Sequence, residues 1–149
     1  MNKLTLLIAG VAVVGGTVFA WNLSQAPQGH SMTPPDTSGI GKGEAIARVK
    51  VPAELGGLAG MGKIAFEAKC ASCHGENAAG RQGFAPPLVH KIYEPNHHGD
   101  MSFQSAARNG VQSHHWDFGN MPPVDGLTTG DIKGIVAYVR ELQRENGIF

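Results

Sequence analysis

The sequence predicts an all-α fold, and two observations lead to that class. Apolar residues recur at helical spacing in three segments, at 62–70, 101–109 and 128–142, whereas no run alternates between apolar and polar residues as a half-buried strand would. The 21 glycines and 9 prolines favour long loops between these segments. At 149 residues with 42% hydrophobic content, the chain is long enough for one compact domain plus a tail.

The last helix is the most strongly predicted element. Thr128 and Asp131 have the spacing of a capping box, in which each side chain bonds to the backbone N–H of the other residue. Gly147 lies just beyond the expected end of the helix. The apolar residues that follow the i, i+3, i+4, i+7 rhythm are Ile132, Ile135, Val136, Val139 and Leu142.

Two further helices are predicted upstream. Over 62–70 the apolar residues at helical spacing are Ile64, Ala65 and Ala68. Over 101–109 Asp100 is expected to cap the helix N-terminus and Gly110 to end the helix. The inward-facing residues of this second helix are expected to be Phe103, Ala106 and Ala107.

The N-terminal segment 4–21 carries no charge. As a helix of about 18 residues rising about 1.5 Å each, it would be about 27 Å long, close to the hydrocarbon thickness of a bilayer. Residues 1–21 are therefore a signal-anchor or a signal peptide. Trp21 prefers a membrane interface and favours an uncleaved anchor, whereas Val18 and Ala20 form a signal-peptidase site. We favour the anchor; the alternative is a soluble periplasmic protein cleaved near Ala20.

Residues 22–43 are rich in Gly, Pro, Ser, Thr and Gln, and they show no periodicity. Residues 22–59 are expected to form a flexible tether, with a short helical or extended piece as an alternative for 44–59, and residues 60–149 the compact domain. Lys3 is the only positively charged side chain before the apolar segment. By the positive-inside rule it places the N-terminus in the cytoplasm, with the domain on the periplasmic side of a bacterial cytoplasmic membrane.

The charge balance and the spacing of the two cysteines indicate which partners and cofactors to expect. Twelve Lys and Arg balance twelve Asp and Glu, with a sequence pI near 7.1, which argues against nucleic acid as a partner. The two cysteines, Cys70 and Cys73, are followed directly by His74 in the Cys-x-x-Cys-His arrangement of haem attachment. A thioredoxin-like pair would need a βαβ pattern, and a structural zinc site a second pair of ligands; neither pattern is present in the sequence.

The attachment spacing lets each thiol add to one haem vinyl group while His74 reaches the iron as an axial ligand. A low-spin electron-transfer haem needs a second strong ligand. Of the five methionines, Met121 lies in GNMPP, whose prolines stiffen the backbone around the sulfur. Met121 is therefore the expected second axial ligand of the haem iron, with a histidine or an open site as alternatives.

Together the segments CASCHG, APPL, NMPP and DIKGIVAYVRELQ resemble a class I mono-haem cytochrome c domain over residues 60–145. The resemblance implies three to five helices around one covalent haem c. It implies that Gly62 and Phe66 of the first helix cross the last helix near Tyr138. It also implies that the backbone carbonyl of Pro86 accepts the ring N–H of His74, with Leu88 packing on the haem; the Pro86 contact would fix the imidazole tautomer.

The segment between Leu88 and Met121 departs from the family in its histidines, which are His90, His97, His98, His114 and His115. No pair among them has the i, i+4 spacing of a helical metal site, so we favour polar loop residues over a second metal. Arg81 is a candidate partner for a haem propionate, because a guanidinium can pair a carboxylate through two hydrogen bonds. A solvated loop charge is the alternative for Arg81.

The expected function is electron transfer by a haem whose two axial ligands stay bound, in a bacterial respiratory or related periplasmic electron-transport chain. The protein is then an electron carrier and not an enzyme, and its partners are a redox donor and acceptor. The alternatives are a haem subunit of a larger membrane oxidoreductase, or a haem enzyme with a displaceable sixth ligand and His114 or His115 as acid or base.

Overall fold

The structure is a computed structural model that describes residues 2–24 and 32–149. The chain divides into an N-terminal unit and a larger second unit that begins after residue 30. The N-terminal unit contains helix α1, Lys3–Ser24. By length and composition α1 can cross a membrane, with a mean hydropathy of 2.1 over Lys3–Asn22. A signal sequence has the same length and composition. Residues 25–31 of the expected tether lie outside the described part of the chain.

The second unit is helical, as predicted. Its α-helices are α2 (Gly57–Lys69), α3 (Ala71–His74), α4 (Asp100–Asn109) and α5 (Thr129–Glu145), and two short 3-10 helices cover Glu76–Ala78 and Lys91–Tyr93. Within 2–24 and 32–149 there are three isolated β-bridges and no strand. The all-α prediction is confirmed.

Helix α5 forms as the sequence predicts. The Thr128 side chain accepts a hydrogen bond from the backbone N–H of Asp131, and the Asp131 carboxylate accepts one from the N–H of Thr128 at 2.8 Å. The helix ends at Glu145, and Gly147 follows with a φ of +74°, which suits a residue without a side chain. The five apolar residues predicted to face inward are all buried.

The crossing of α2 and α5 forms the centre of the core. The rings of Phe66 and Tyr138 are fully buried, with centroids 5.5 Å apart. Gly62 lies against Gly134 so closely that a Cβ at Gly62 would come within 1.8 Å of the Gly134 carbonyl oxygen. Only a residue without a side chain fits there. The face of α2 that packs on α5 is therefore Ala59, Gly62 and Phe66, while Ile64 and Ala68 are exposed.

One helix begins earlier than the predicted segment, and one predicted helix cap is wrong. Helix α2 begins at Gly57, inside the segment expected to be tether. Asp100 is the first residue of α4 and does not cap it; the cap position is Gly99, which has no side chain to do so. The Asp100 carboxylate instead accepts a hydrogen bond from Arg140 at 2.8 Å. Gly110 does end α4, with a φ of +75°.

Part of the expected tether is bound to the domain. Backbone hydrogen bonds join Ala47 to Ala79, and residues 43 and 44 to residue 82. Farther along the chain, the Asn146 side chain accepts a hydrogen bond from the N–H of Lys50 at 2.9 Å and donates one to the Lys50 carbonyl at 2.8 Å. The backbone groups of residues 43, 44, 47 and 50 are thus bound to the domain.

Candidate functional site

The predicted attachment segment lies where α2 meets α3. Cys70 ends α2 and precedes α3, so both thiols and the His74 imidazole come from one turn of chain. Cys73 is exposed and Cys70 is half-buried. Burial, with a smaller contribution from the neighbouring Cys73, raises the pKa of the free Cys70 thiol to about 11. Conversion of that thiol to an uncharged thioether suits its apolar surroundings.

His74 is buried, with 9% of its surface exposed, and its Nδ1 lies 2.9 Å from the carbonyl oxygen of Pro86. Since that carbonyl can only accept, the ring proton belongs on Nδ1 and the lone pair on Nε2. Burial lowers the pKa of His74 more than the Pro86 contact raises it. The imidazole is therefore neutral at neutral pH and can donate its Nε2 lone pair to a metal.

The chain between His74 and Pro86 turns back on itself at glycines with positive φ. Gly75 and Gly80 have φ values of +76° and +74°. A Cβ at Gly80 would lie 2.5 Å from the Pro87 backbone nitrogen. This close approach brings the Pro86 carbonyl to the imidazole. The turn is fixed to α5 by Tyr138, whose hydroxyl donates to Asn77 Oδ1 at 3.1 Å.

Arg81 lies within this turn, and Leu88 follows directly after it. The N–H of Leu88 donates to the Ala78 carbonyl at 2.9 Å, and its side chain packs against the core. The Arg81 guanidinium donates to the carbonyl of Ser72 within the attachment segment, and it stacks on Phe84 with 4.4 Å to the ring centroid. Arg81 thus braces the attachment segment, and a propionate contact for it stays a prediction.

The loop that carries Met121 is fastened to the end of α4. Met121 and Val111 exchange two backbone hydrogen bonds of 2.9 Å, and the N–H of Val124 donates to the Ala107 carbonyl at 2.9 Å. A Cβ at Gly110 would lie 2.5 Å from the Met121 carbonyl oxygen, so glycine is needed for this close pairing. The backbone of Met121, the candidate ligand, is therefore fixed by its pairing with Val111, and the chain just after it by the contact of Val124.

Two polar residues of α5 were missed by sequence reasoning. Arg140 is only 6% exposed and Gln143 is fully buried. Arg140 donates to the Tyr93 carbonyl at 2.9 Å and to the His98 carbonyl, and Gln143 donates to the Leu88 carbonyl at 2.8 Å. Arg140 lies four residues after the buried Val136, and Gln143 four residues after the buried Val139. A charged residue and an amide on the inward face of the helix were therefore the signal in the sequence that could have revealed them.

Four of the loop histidines lie together. His97 and His98 follow the second 3-10 helix, and His114 and His115 lie in the loop between Val111 and Met121. The His98 and His114 rings stack at 5.9 Å between centroids, and the His114 and His115 rings lie at 4.4 Å. His90 accepts from the N–H of Ile92, and its ring lies 5.5 Å from that of Trp116. Chiefly through burial, the pKa values of His98 and His115 are lowered, so these rings are neutral at neutral pH.

A comparison with protein families now identifies the fold. The cytochrome c family model matches residues 59–143, more than half of the chain. The chain belongs to the cytochrome c family. No curated protein and no solved structure matches the whole chain or a part of it.

The cytochrome carries one covalent c-type haem, and the residues at the site fit that group. Its two thiols and a buried imidazole come from one turn of chain, and the hydrogen bond to Pro86 leaves Nε2 of that imidazole for iron. Cytochromes c transfer electrons through their haem.

Proposed function

We propose that the protein is an electron carrier whose haem iron is bound by His74 and Met121, working on the periplasmic side of a bacterial cytoplasmic membrane. The observation that carries the proposal is the paired backbone of Val111 and Met121, with two hydrogen bonds of 2.9 Å. A sulfur on a fixed backbone can stay at the iron in both oxidation states. With His74 and Met121 both bound to the iron, the site would exchange electrons and would leave no position for a substrate.

The chain's own residues would set the properties of the site. When bound, haem supplies one-electron exchange at iron, and a methionine as second axial ligand raises its reduction potential. The Pro86 carbonyl holds the His74 proton at Nδ1, which orients the ring and increases donation from Nε2. Cys73 is exposed; its thioether would lie at the surface, where a redox donor or acceptor can approach.

The ligand assignment is tested by absorption spectroscopy of the oxidised protein. A weak long-wavelength band from sulfur-to-iron charge transfer is expected, and Met121→Ala should abolish it. Met101→Ala is the matched control, because Met101 is 70% exposed on α4 and should leave the band unchanged. Absence of the band from the wild type, or its survival in Met121→Ala, would overturn the proposal and favour a displaceable sixth ligand.

The membrane location rests on α1. Its 22 residues, at about 1.5 Å each, span about 33 Å, enough for the hydrocarbon core of a bilayer. We propose that residues 4–21 anchor the protein and that the haem domain faces the periplasm. The N-terminal residue of mature protein from membrane and soluble fractions tests this. A membrane-bound chain that retains residues 1–20 is expected; a soluble chain beginning at Trp21 would show a cleaved signal instead.

A further inference from the structure

Two loops of the haem domain meet through their histidines. His97 and His98 lie in the turn that precedes α4, and His115 lies in the loop that leads to Met121. One ring nitrogen from each of the three histidines lies within 4.8 Å of those of the other two. The i, i+4 spacing marks two histidines on one helix, so it could not reveal a group whose histidines come from separate loops.

The closest pair has a spacing that suits a shared metal ion. Nε2 of His97 lies 3.2 Å from Nε2 of His115. Two nitrogens at about 2.05 Å from one tetrahedral zinc ion are separated by about 3.3 Å. Without an ion, one of these two nitrogens must carry a proton and donate it to the other. With an ion, both present their lone pairs to it.

His98 is already oriented as metal-binding histidines are. Its Nδ1 lies 2.7 Å from the Ile92 carbonyl oxygen, so Nδ1 carries the proton and the lone pair is on Nε2. A histidine that ligates a metal typically donates its other ring N–H to a carbonyl or carboxylate in this way. The same contact prevents rotation of the ring away from His97 and His115.

The backbone under the cluster is also fixed. The His97 and His98 amides both donate to the Glu94 carbonyl, at 3.1 and 2.8 Å. Arg140 donates to the His98 carbonyl from α5. On the other loop, the N–H of Ser113 donates to Asn120 Oδ1 at 2.9 Å. Little backbone ordering is then needed when an ion binds, which favours affinity.

From this geometry we propose that His97, His98 and His115 bind one divalent late first-row transition ion, of the class of Zn²⁺ and Cu²⁺. The donor set decides the class, since three imidazoles suit these ions whereas Mg²⁺ and Ca²⁺ require oxygen ligands. Three protein ligands leave a fourth position for water or another small ligand. None of the three histidines belongs to the haem attachment segment at residues 70–74, and the site goes beyond electron transfer. An ion there would join the loop before α4 to the loop that carries Met121.

Zinc titration of the haem-loaded full-length protein in detergent tests the site. After removal of adventitious metal, we expect one Zn²⁺ per haem iron by isothermal titration calorimetry and elemental analysis. X-ray absorption at the zinc edge should show nitrogen neighbours at about 2.0 Å. His97→Ala, His98→Ala and His115→Ala should each weaken zinc affinity by about 100-fold or more, since even the partners of ligating histidines account for about 10- to 100-fold.

His30→Ala is the matched control, because it removes one histidine from a different part of the sequence; it should leave zinc affinity unchanged within about twofold. His97 is exposed, so His97→Ala also guards against loss of fold, and its haem spectrum should match that of the wild type. Zinc below one equivalent per iron, or an affinity unchanged in His97→Ala, would overturn the proposal. Equal weakening in His30→Ala would do so as well.

Discussion

Arg140 Nε on α5 donates a hydrogen bond to Asp100 Oδ1, the first residue of α4, over 2.8 Å. The same guanidinium donates to the carbonyls of Tyr93 and His98, and it lies 4.7 Å from the centroid of the Phe103 ring. One buried cation therefore holds the whole turn from residue 93 to residue 103 against the last helix. His97 and His98 lie within this turn, and the His98 carbonyl is one of the contacts that hold it.

Replacement of Arg140 should destabilise the domain much more than replacement of its carboxylate partner. Arg140→Gln removes a donor from the His98 carbonyl and one of the two donors of the Tyr93 carbonyl, which keeps Gln143. We expect it to lower the free energy of unfolding by about 2–4 kcal/mol. The Asp100 side chain is 61% exposed, so Asp100→Asn should lower it by less than about 1 kcal/mol. Denaturant unfolding of the haem-loaded protein measures both. Equal effects would mean that the ion pair, and not the carbonyl contacts, holds the turn.

The glycine at the helix crossing gives a second prediction. A Cβ at Gly62 would lie 1.8 Å from the Gly134 carbonyl oxygen, so Gly62→Ala must push α2 and α5 apart. We expect a loss of about 3 kcal/mol or more in the free energy of unfolding, at the upper end of overpacking effects. Thermal and denaturant unfolding followed by circular dichroism would measure it.

Gly130→Ala is the matched control for that variant. Gly130 lies exposed in the first turn of α5, and a Cβ there would meet its nearest neighbour, Thr128 Oγ1, at 3.6 Å. That is an ordinary contact, and alanine favours helix, so stability should stay level or rise slightly. A similar loss in both variants would contradict the close crossing.

The capping box of α5 predicts a pH-dependent contribution to stability. Hydrogen bonds from Thr128 lower the pKa of the Asp131 carboxyl below its usual value of 3.8. The folded state therefore favours the charged carboxylate. This stability is fully present above pH 3.8 and is lost as the pH falls through the lower pKa of the folded state. Asp131→Asn should lower Tm at pH 6 and lower it less at pH 2.5. A Tm difference that is constant with pH would contradict the capping role of the charge.

The two hydrogen bonds between the Asn146 side chain and the Lys50 backbone can be tested by removal of that side chain. Asn146→Ala deletes the hydrogen bonds to both backbone groups of Lys50. With a net value of about 1 kcal/mol for each bond, we expect a loss of about 1–2 kcal/mol. Limited proteolysis should also cut residues 43–50 faster in the variant. Asn109→Ala, which loses only a contact to Ser105 on its own helix, should leave the cleavage rate unchanged.

The local signals in the sequence predicted local structure well. The capping box of Thr128 and Asp131 and the apolar rhythm after it gave the start and the buried face of α5, since both depend on residues within one or two turns. The contact between His74 and Pro86 followed from the family resemblance and is present in the structure. The ligand role of Met121 stays a prediction.

Features that depend on distant partners could not be predicted. Asp100 has the residue type of a helix cap, yet its carboxylate bonds to Arg140, forty residues away along the chain. Residues 43–50 were expected to belong to the tether, but the domain supplies hydrogen-bond partners for several of their backbone groups. The histidine group needs two loops to meet. In each case a long-range contact decides the outcome, and neighbouring residues give no sign of it.

The contact between α2 and α5 also has a consequence for the maturation of the protein. It brings Gly62 against Gly134, so the core cannot close until the chain has been synthesised almost to its C-terminus. A chain that emerges amino end first, at about 5–20 residues per second from a ribosome, exposes residues 70–74 for several seconds before the last helix arrives. During that interval Cys70 and Cys73 lie in a chain whose core is still open, because the helix that closes it is the last to be made.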